Sequence, residues 1–255
     1  MIIWVIYLFQ EGDLVSRNSH GNDIIFKIEK IIDNVAYLSG IDIRLCADSS
    51  IDDLVLESKE KNKEDDRFYE KISYLKPSDR SDYFYIPGKI LHIDGDNEYL
   101  HRCLNFYKKA NVLAYGVFSS EKEISNNIRK YLEDIKPDIV VITGHDSKIR
   151  NNTDYFCSAV KECRNYQKDY DKLIIIAGAC QSDYEKLIKS GANFASSPKR
   201  INIHALDPAI IALTFSLLDK NKDVNLLSVL EKTSNGKNGI GGVNTKGMMT
   251  IGYPR

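Results

Sequence analysis

The stretch Ile139-Val140-Val141-Ile142-Thr143-Gly144-His145-Asp146, read with its counterpart Leu173-Ile174-Ile175-Ile176-Ala177-Gly178-Ala179-Cys180, decides the fold. Each opens as a short aliphatic run, mostly β-branched, which is the pattern of a strand buried on both faces of a parallel sheet. Each closes in small residues that carry one reactive side chain. Ligands of open parallel sheets bind outside the carboxyl ends of the strands. The two runs therefore bring an imidazole and a thiol to one edge. A thiol becomes a thiolate at neutral pH only beside a base or in electropositive surroundings. The pair points to a Cys–His hydrolase.

Working outward, the segment from Tyr83 alternates β and α patterns. Lys89–Ile93 predicts a strand ending at Asp94-Gly95-Asp96. Leu100, Cys103, Leu104 and Tyr107 follow at helical spacing. Asn111 to Phe118 predicts the next strand. Ser120 and Glu123 read as a capping box for a helix buried through Ile124, Ile128, Leu132 and Ile135. Residues 153–170 form the helix before the Cys strand, with Phe156, Val160 and Cys163 inward. Ser182 and Glu185 read as a second capping box, and Gly191 suits the far end of that helix. A short strand at 193–197 precedes Asp207 and Pro208 at the cap and first position of another helix. A last helix near 224–232 and a Gly-rich turn lead to a terminal strand around 248–251. The fold class is α/β, a doubly wound, mainly parallel sheet.

Residues 11–57 read differently. Short strands at 13–15, 23–28, 35–38 and 41–46, separated by turn residues such as Asp33-Asn34, predict a small β-barrel of SH3-like size. Residues 58–82 are crowded with Lys, Glu and Asp, the composition of a charged linker or solvated helix. The chain thus divides into a barrel module over 1–57, a linker over 58–82 and an α/β domain over 83–255. The barrel is expected to bind substrate or another partner, or to pack on the α/β domain.

The 255 residues suffice for a substantial core, and 35 basic against 36 acidic side chains leave no bulk charge for nucleic acid or an anionic membrane. Five cysteines without CxxC spacing suggest neither a disulfide framework nor a tetrahedral zinc site, which fits a reducing compartment. The apolar opening Met1–Phe9 is too short to span a bilayer and lacks the flanks of a signal peptide. An upstream start codon or an extra strand accounts for it better.

Cys180 has an ordinary reading as a buried small hydrophobe. Against it stand its strand-end position, the helix N-terminus expected two residues later, whose dipole favours a thiolate, and the room left by Gly178 and Ala179. His145 is the preferred base because a strand end fixes geometry better than a loop, and Gly144 beside it is a substrate-approach position. His204 is the competing base, nearer to Cys180 in sequence but in a loop before a capped helix. Asp94 and Asp96 read either as a tight turn with Asp96 capping a helix, or as carboxylates lining a pocket for a basic substrate side chain.

These residues carry a resemblance. Phe84-Tyr85-Ile86-Pro87-Gly88-Lys89, Leu91-His92-Ile93-Asp94-Gly95-Asp96, Val141–Asp146, Ala177-Gly178-Ala179-Cys180-Gln181-Ser182 and Gly191–Pro198 with Asn202–Pro208 look like the YabG sporulation-specific proteases, over roughly residues 11–255. The resemblance implies a cysteine endopeptidase of spore-forming bacteria that trims spore-coat and cortex-associated proteins. It also implies a place in the mother-cell cytoplasm and the developing spore coat. The family's catalytic His and Cys fall on His145 and Cys180. The order of an apolar strand with His followed by an apolar strand with Ala-Cys is also similar to the caspase, gingipain and clostripain group. That similarity implies cleavage after basic residues with Asp94 or Asp96 in the pocket. The sequence departs from the group in placing Gly before the His and Gln-Ser after the Cys, which leaves the oxyanion donors open.

The expected reaction needs no metal or organic cofactor, and neither nucleic acid nor membrane is an expected partner. Two other readings stand beside it. A glutamine-amidotransferase-like amide hydrolase would use Cys180 with His204, and a non-enzymatic spore-coat scaffold would leave Cys180 inert. Oligomeric state is not legible in the sequence.

Overall fold

The computed structural model describes residues 9–57, 63–73, 84–146 and 152–252. The apolar opening through Leu8 and most of the charged segment between 58 and 83 lie outside the described residues. In the N-terminal module, β1 (Leu14–Arg17), β2 (Phe26–Ile32), β3 (Val35–Gly40), β4 (Cys46–Ser50) and β5 (Leu54–Leu56) form one antiparallel sheet in the order β4-β3-β2-β1-β5. The β2–β3 hairpin turns through Asp33 and Asn34, both left-handed at φ 48° and 67°. That is the conformation a two-residue type I′ turn requires and these side chains tolerate.

Two details of this module differ from the sequence reading. A fifth strand, β5, pairs with β1 where none was expected. The strand expected over 41–46 starts only at Cys46. Ile41 to Leu45 leave the sheet because their backbone groups bond elsewhere. The Leu45 N–H donates to the Ile43 carbonyl at 2.7 Å, a three-residue γ-turn about Arg44. The Arg44 N–H reaches the Ile203 carbonyl at 3.3 Å, and the Ala205 N–H reaches the Asp42 carbonyl at 2.7 Å.

Helix α1 (Lys63–Ser73) follows. It is not simply a solvated face, because Phe68 is buried edge-on to Phe106 and stacked on His204. The second part runs β6 (Phe84–Ile86), β7 (Ile90–Asp94), α2 (Asn97–Lys109), β8 (Ala114–Phe118), α3 (Glu121–Ile135), β9 (Ile139–Thr143), α4 (Thr153–Tyr166), β10 (Ile174–Ala177), α5 (Tyr184–Lys189), β11 (Phe194–Ser196), α6 (Asp207–Leu217), α7 (Leu226–Leu230), β12 (Ile240–Gly242) and β13 (Thr250–Gly252). Its main sheet has the order β12-β11-β10-β9-β7-β8, parallel throughout except for β12 at the edge. The terminal strand β13 does not join it, pairing instead with β6 in a separate two-stranded ribbon.

Alternate strand residues point to opposite faces, and both faces are covered. Ile139, Val141, Ile174 and Ile176 pack with Phe106 and Tyr107 of α2 and with α6, while Val140, Ile142 and Ile175 pack with Ile124, Ile128 and Leu132 of α3 and Phe156 and Val160 of α4. Helix α6 is apolar all round and buried along almost its whole length, as expected of a central helix. A third core joins the two parts. Cys180 and Ile203 lie in one cluster with Val15, Phe26, Ile28, Leu38 and Leu45, so the N-terminal sheet is seated on the carboxyl edge of the large sheet.

Two helix starts, those of α5 and α6, settle one residue away from the sequence signals. Asp183 rather than Ser182 caps α5, accepting the Lys186 N–H at 3.0 Å. Ser120 is the N-cap of α3, but its hydroxyl donates to the Glu123 carboxylate and caps no backbone amide. Asp207 and Pro208 occupy the first two helical positions of α6, one step later than expected. Gly191, at φ +112°, ends α5 as anticipated.

Asn193 ties strand, loop and helix together. Its carboxamide oxygen accepts from the Ile175 N–H at 2.9 Å and from Arg164 Nη2 at 2.8 Å, and its Nδ2 donates to the Tyr170 carbonyl at 3.1 Å. The bond to the Ile175 amide is buried and the other two are partly buried. Asn193→Ala strands the Ile175 amide and is expected to lower unfolding free energy by about 2–3 kcal/mol, the cost of orphaned buried polar groups. Urea denaturation monitored by circular dichroism measures it.

Candidate active site

Three neighbouring parallel strands, β7, β9 and β10, end at one edge, with Asp94 opposite Thr143 and Ala177 opposite Ile142. The chain leaves β7 for β8 on one side and returns as β9 on the other. Strand order therefore reverses between β7 and β9, the place where open α/β sheets form a crevice. The loops beyond these ends carry Asp96, His145 and Cys180.

His145 is fixed from several sides. Its Nε2 lies 2.9 Å from Asp96 Oδ2, while Asp96 Oδ1 caps α2 through the Glu98 and Tyr99 amides at 2.8 and 3.0 Å. Asp96 is thus the helix cap of one sequence reading, and its second oxygen is engaged by His145. The His145 N–H donates to Glu121 Oε1 at 2.9 Å, and the ring packs against Tyr99. The Cys46 thiol of β4 lies beside the imidazole, whose Nδ1 is buried without a hydrogen-bond partner. Burial disfavours the imidazolium, but the Asp96 hydrogen bond and the neighbouring Cys46 outweigh it and raise the pKa to about 10. At neutral pH the ring is an imidazolium.

Cys180 follows a sharp loop. Gly178 sits at φ +107°, where a Cβ would meet Leu187 Cδ1 at 2.9 Å, and Gln181 just beyond the thiol is left-handed at φ 61°. The thiol is fully buried, accepting the Ile203 N–H at 3.2 Å and donating to the Ile203 carbonyl at 3.6 Å. Burial pushes its pKa up, the Ile203 amide only partly offsets this, and the result is about 12. The expected help from a helix dipole is overwhelmed by desolvation, and α5 starts only at Tyr184. His145 and Cys180 stand on adjacent strand ends, yet no hydrogen bond joins them in this arrangement. Cys46 is close enough to act electrostatically on both.

Asp146 and Glu121 are the residues that sequence reasoning passed over. Asp146 Oδ2 accepts from Ser182 Oγ at 2.8 Å and from Thr153 Oγ1 at 2.5 Å, and Oδ1 accepts the Asn152 N–H at 2.8 Å. Ser182 Oγ in turn accepts the Ala179 N–H at 2.9 Å. One buried carboxylate therefore couples the loop of His145 to the loop of Cys180. Its adjacency to His145 in the Gly-His-Asp triplet was the available signal. Glu121 fills the space beside Gly144, where a Cβ would meet Oε1 at 2.6 Å. The missing side chain at Gly144 is used by this carboxylate, which occupies the approach expected for a substrate.

Asp94 is fully buried and already paired. Arg44, also fully buried, reaches across from the N-terminal module and places Nη1 2.8 Å from Asp94 Oδ2 and 3.1 Å from Oδ1. Arg44 Nη2 donates to the Ala205 carbonyl at 3.1 Å, and the guanidinium lies 4.8 Å above the Tyr99 ring. Thr143 Oγ1 donates to Asp94 Oδ2 at 2.8 Å and accepts from His92 Nε2, whose Nδ1 accepts from Tyr107. This tautomer is assigned from the network and agrees with burial keeping His92 neutral. Burial raises the Asp94 pKa, but Arg44 and His92 outweigh it and hold the carboxyl well below the usual range.

His204, the competing base, is built into the interface. Its Nδ1 accepts the Leu206 N–H at 3.1 Å, its ring stacks on Phe68, and burial with the nearby Arg102 and Arg44 lowers its pKa to about 3. Between the N-terminal sheet and the edge of the large sheet lies a cavity of about 770 Å³, lined among others by Glu29, Cys46, Asp96, Glu98 and His145. Among the described residues no helix is long and apolar enough to cross a membrane, and no group of three or more His, Cys, Asp or Glu is arranged to hold a metal ion.

A chain with this site matches known proteins over almost its whole length. The family model described as YabG peptidase U57 matches residues 10–254. The "Sporulation-specific protease YabG" of Bacillus subtilis (strain 168) is 39% identical over 284 aligned positions, covering 96% of this chain and 98% of that protein. The chain therefore belongs to the YabG peptidase family.

Proposed function

We propose that this chain is a cysteine endopeptidase of sporulation, with Cys180 as nucleophile and His145 as proton carrier. The observation that carries this reading is the imidazole of His145, oriented by Asp96 at the strand end next to the one bearing Cys180. In the reaction, His145 in its neutral form takes the Cys180 proton, having first released its own extra proton to solvent, and the sulfur attacks the scissile carbonyl. The tetrahedral oxyanion is assigned to the Cys180 amide, because the His145 and Ala179 amides are already bonded to Glu121 and Ser182. Collapse gives a thioester while His145 returns the proton to the leaving amine. Water then loses a proton to His145, cleaves the thioester and restores the thiol.

The substrates in this reading are spore-coat and cortex-associated proteins, met in the mother-cell cytoplasm and the developing coat. Cleavage falls after basic residues, since the Asp94 carboxylate stands at the site edge and suits a guanidinium. We also read the sheet as caspase-like, which its antiparallel edge strand supports, and residues 1–57 as an SH3-like module, with 58–82 as connector and 83–255 as the peptidase domain.

One observation favours a second nucleophile: the thiol beside His145 in this arrangement is Cys46. Substitution separates the two. Cys180→Ala and His145→Ala are each expected to lower hydrolysis of an arginyl peptide by at least about a thousandfold, whereas Cys46→Ala retains it. Loss in Cys46→Ala with retention in Cys180→Ala would move the nucleophile to the barrel.

Two further outcomes follow from the electrostatics. Asp94→Asn should reduce the preference for Arg over an uncharged residue before the scissile bond by about thirtyfold, corresponding to roughly 2 kcal/mol for one lost charge pairing. A peptide library compared between the two proteins reads that ratio. The His145 ring, titrating near 10, should return toward the ordinary histidine range in Asp96→Asn, followed by NMR of the imidazole protons. The sign for stability follows from the raised folded pKa. The pair's contribution is full below the ordinary histidine range and is lost as pH climbs through about 10.

A further inference from the structure

Each group needed for the proposed chemistry is engaged by one short stretch of the barrel. Arg44 holds Asp94, Cys46 lies beside His145, and Leu45 belongs to the same buried cluster as Cys180. The stretch is bound as a peptide would be. Ile43 forms an antiparallel bridge with His204, through the Arg44 N–H to the Ile203 carbonyl and the Ala205 N–H to the Asp42 carbonyl. Strand-like main-chain pairing with a side chain in a pocket is how extended peptides are commonly recognised. The pocket is specific for a guanidinium. It offers a bidentate carboxylate, the Ala205 carbonyl and the face of Tyr99.

We propose that Asp42–Cys46 is an internal occupant of the substrate cleft, which keeps the enzyme latent until the barrel is displaced. This rests on the peptidase reading and adds regulation to it. The segment resists cleavage because the bond after Arg44 lies in a γ-turn, with the Leu45 amide locked to the Ile43 carbonyl, whereas a scissile bond must lie open to in-line attack. The proton inventory agrees. Burial raises the pKa of the Cys180 thiol to about 12, which keeps it protonated as befits a covered nucleophile. The occupant is also held from its flank. Arg102 donates to the Ile41 carbonyl at 2.5 Å and to Asp42 Oδ1 at 3.0 Å, and the Tyr99 hydroxyl bonds the carbonyls of Gly40 and Ile43.

The test uses the full-length chain. Iodoacetamide labelling of Cys180 under native conditions, quantified by mass spectrometry, is compared with hydrolysis of a fluorogenic arginyl amide. In wild type, Cys180 labels slowly and hydrolysis is low. Arg44→Ala is expected to speed Cys180 labelling at least about tenfold, with a parallel rise in hydrolysis that Arg44→Ala/Cys180→Ala lacks. Should Arg44→Ala fail to fold, Arg102→Ala loosens the same segment from its partly exposed flank, and a smaller rise of the same sign is expected. A folded Arg44→Ala or Arg102→Ala protein whose Cys180 labels no faster than wild type overturns the proposal. Faster labelling with no hydrolysis in any variant leaves the cover standing and removes the peptidase reading, so the two failures are distinct.

Discussion

A guanidinium and a carboxylate, both sealed from solvent, hold the two parts of this molecule in register. Either charge alone in that position would be costly, and removing one partner of a buried pair typically costs about 3–5 kcal/mol. The pair is therefore less a source of net stability than a demand for one arrangement. Arg44 must meet Asp94, so the N-terminal sheet must sit on the carboxyl edge, and Tyr99, Arg102 and Ala205 must present their groups where they do. Thr143, His92 and Tyr107 extend the requirement through the sheet to α2.

The site shows the same coupling at shorter range. Asp96 serves α2 with one carboxylate oxygen and His145 with the other, so the helix start and the imidazole orientation are one structural fact. Asp146 does likewise for the loops of His145 and Cys180, through Thr153 and Ser182. Rigid positioning of this kind is what a proton relay needs, since a displacement of about 1 Å can lower a rate a hundredfold.

The parallel sheet was legible because its strands are apolar on both faces. Ile139–Thr143 and Ile174–Ala177 announce themselves by composition alone, and their ends locate the edge. The strand at Ile240–Gly242 hid because two of its three residues are glycine, and β5 hid because it is three residues long beside a turn. Helix caps slipped because Ser182 faced a stronger claim on its hydroxyl, from Asp146 and the Ala179 amide, leaving Asp183 to begin α5. His145, Cys180, Asp94 and Asp96 could be picked out because they stand at strand ends. Their electrostatic state could not, because it is set by Arg44, Cys46 and an N-terminal core that meet them only through tertiary packing. Local sequence carries no record of a neighbour so far along the chain.

That separation bears on how the chain acquires its shape. The carbonyl that receives Arg44 belongs to Ala205, 161 residues further on. During synthesis from the N-terminus, an early hairpin sheet waits with a charged side chain whose seat does not yet exist. Contacts at this distance close late and slowly. The strands that bring Asp94, His145 and Cys180 together also complete the surface on which the waiting sheet lands. On the proposal that Asp42–Cys46 occupies the cleft, assembly of the cleft and its covering are a single late event, and a nascent peptidase built this way would emerge without an interval in which it could cut its surroundings.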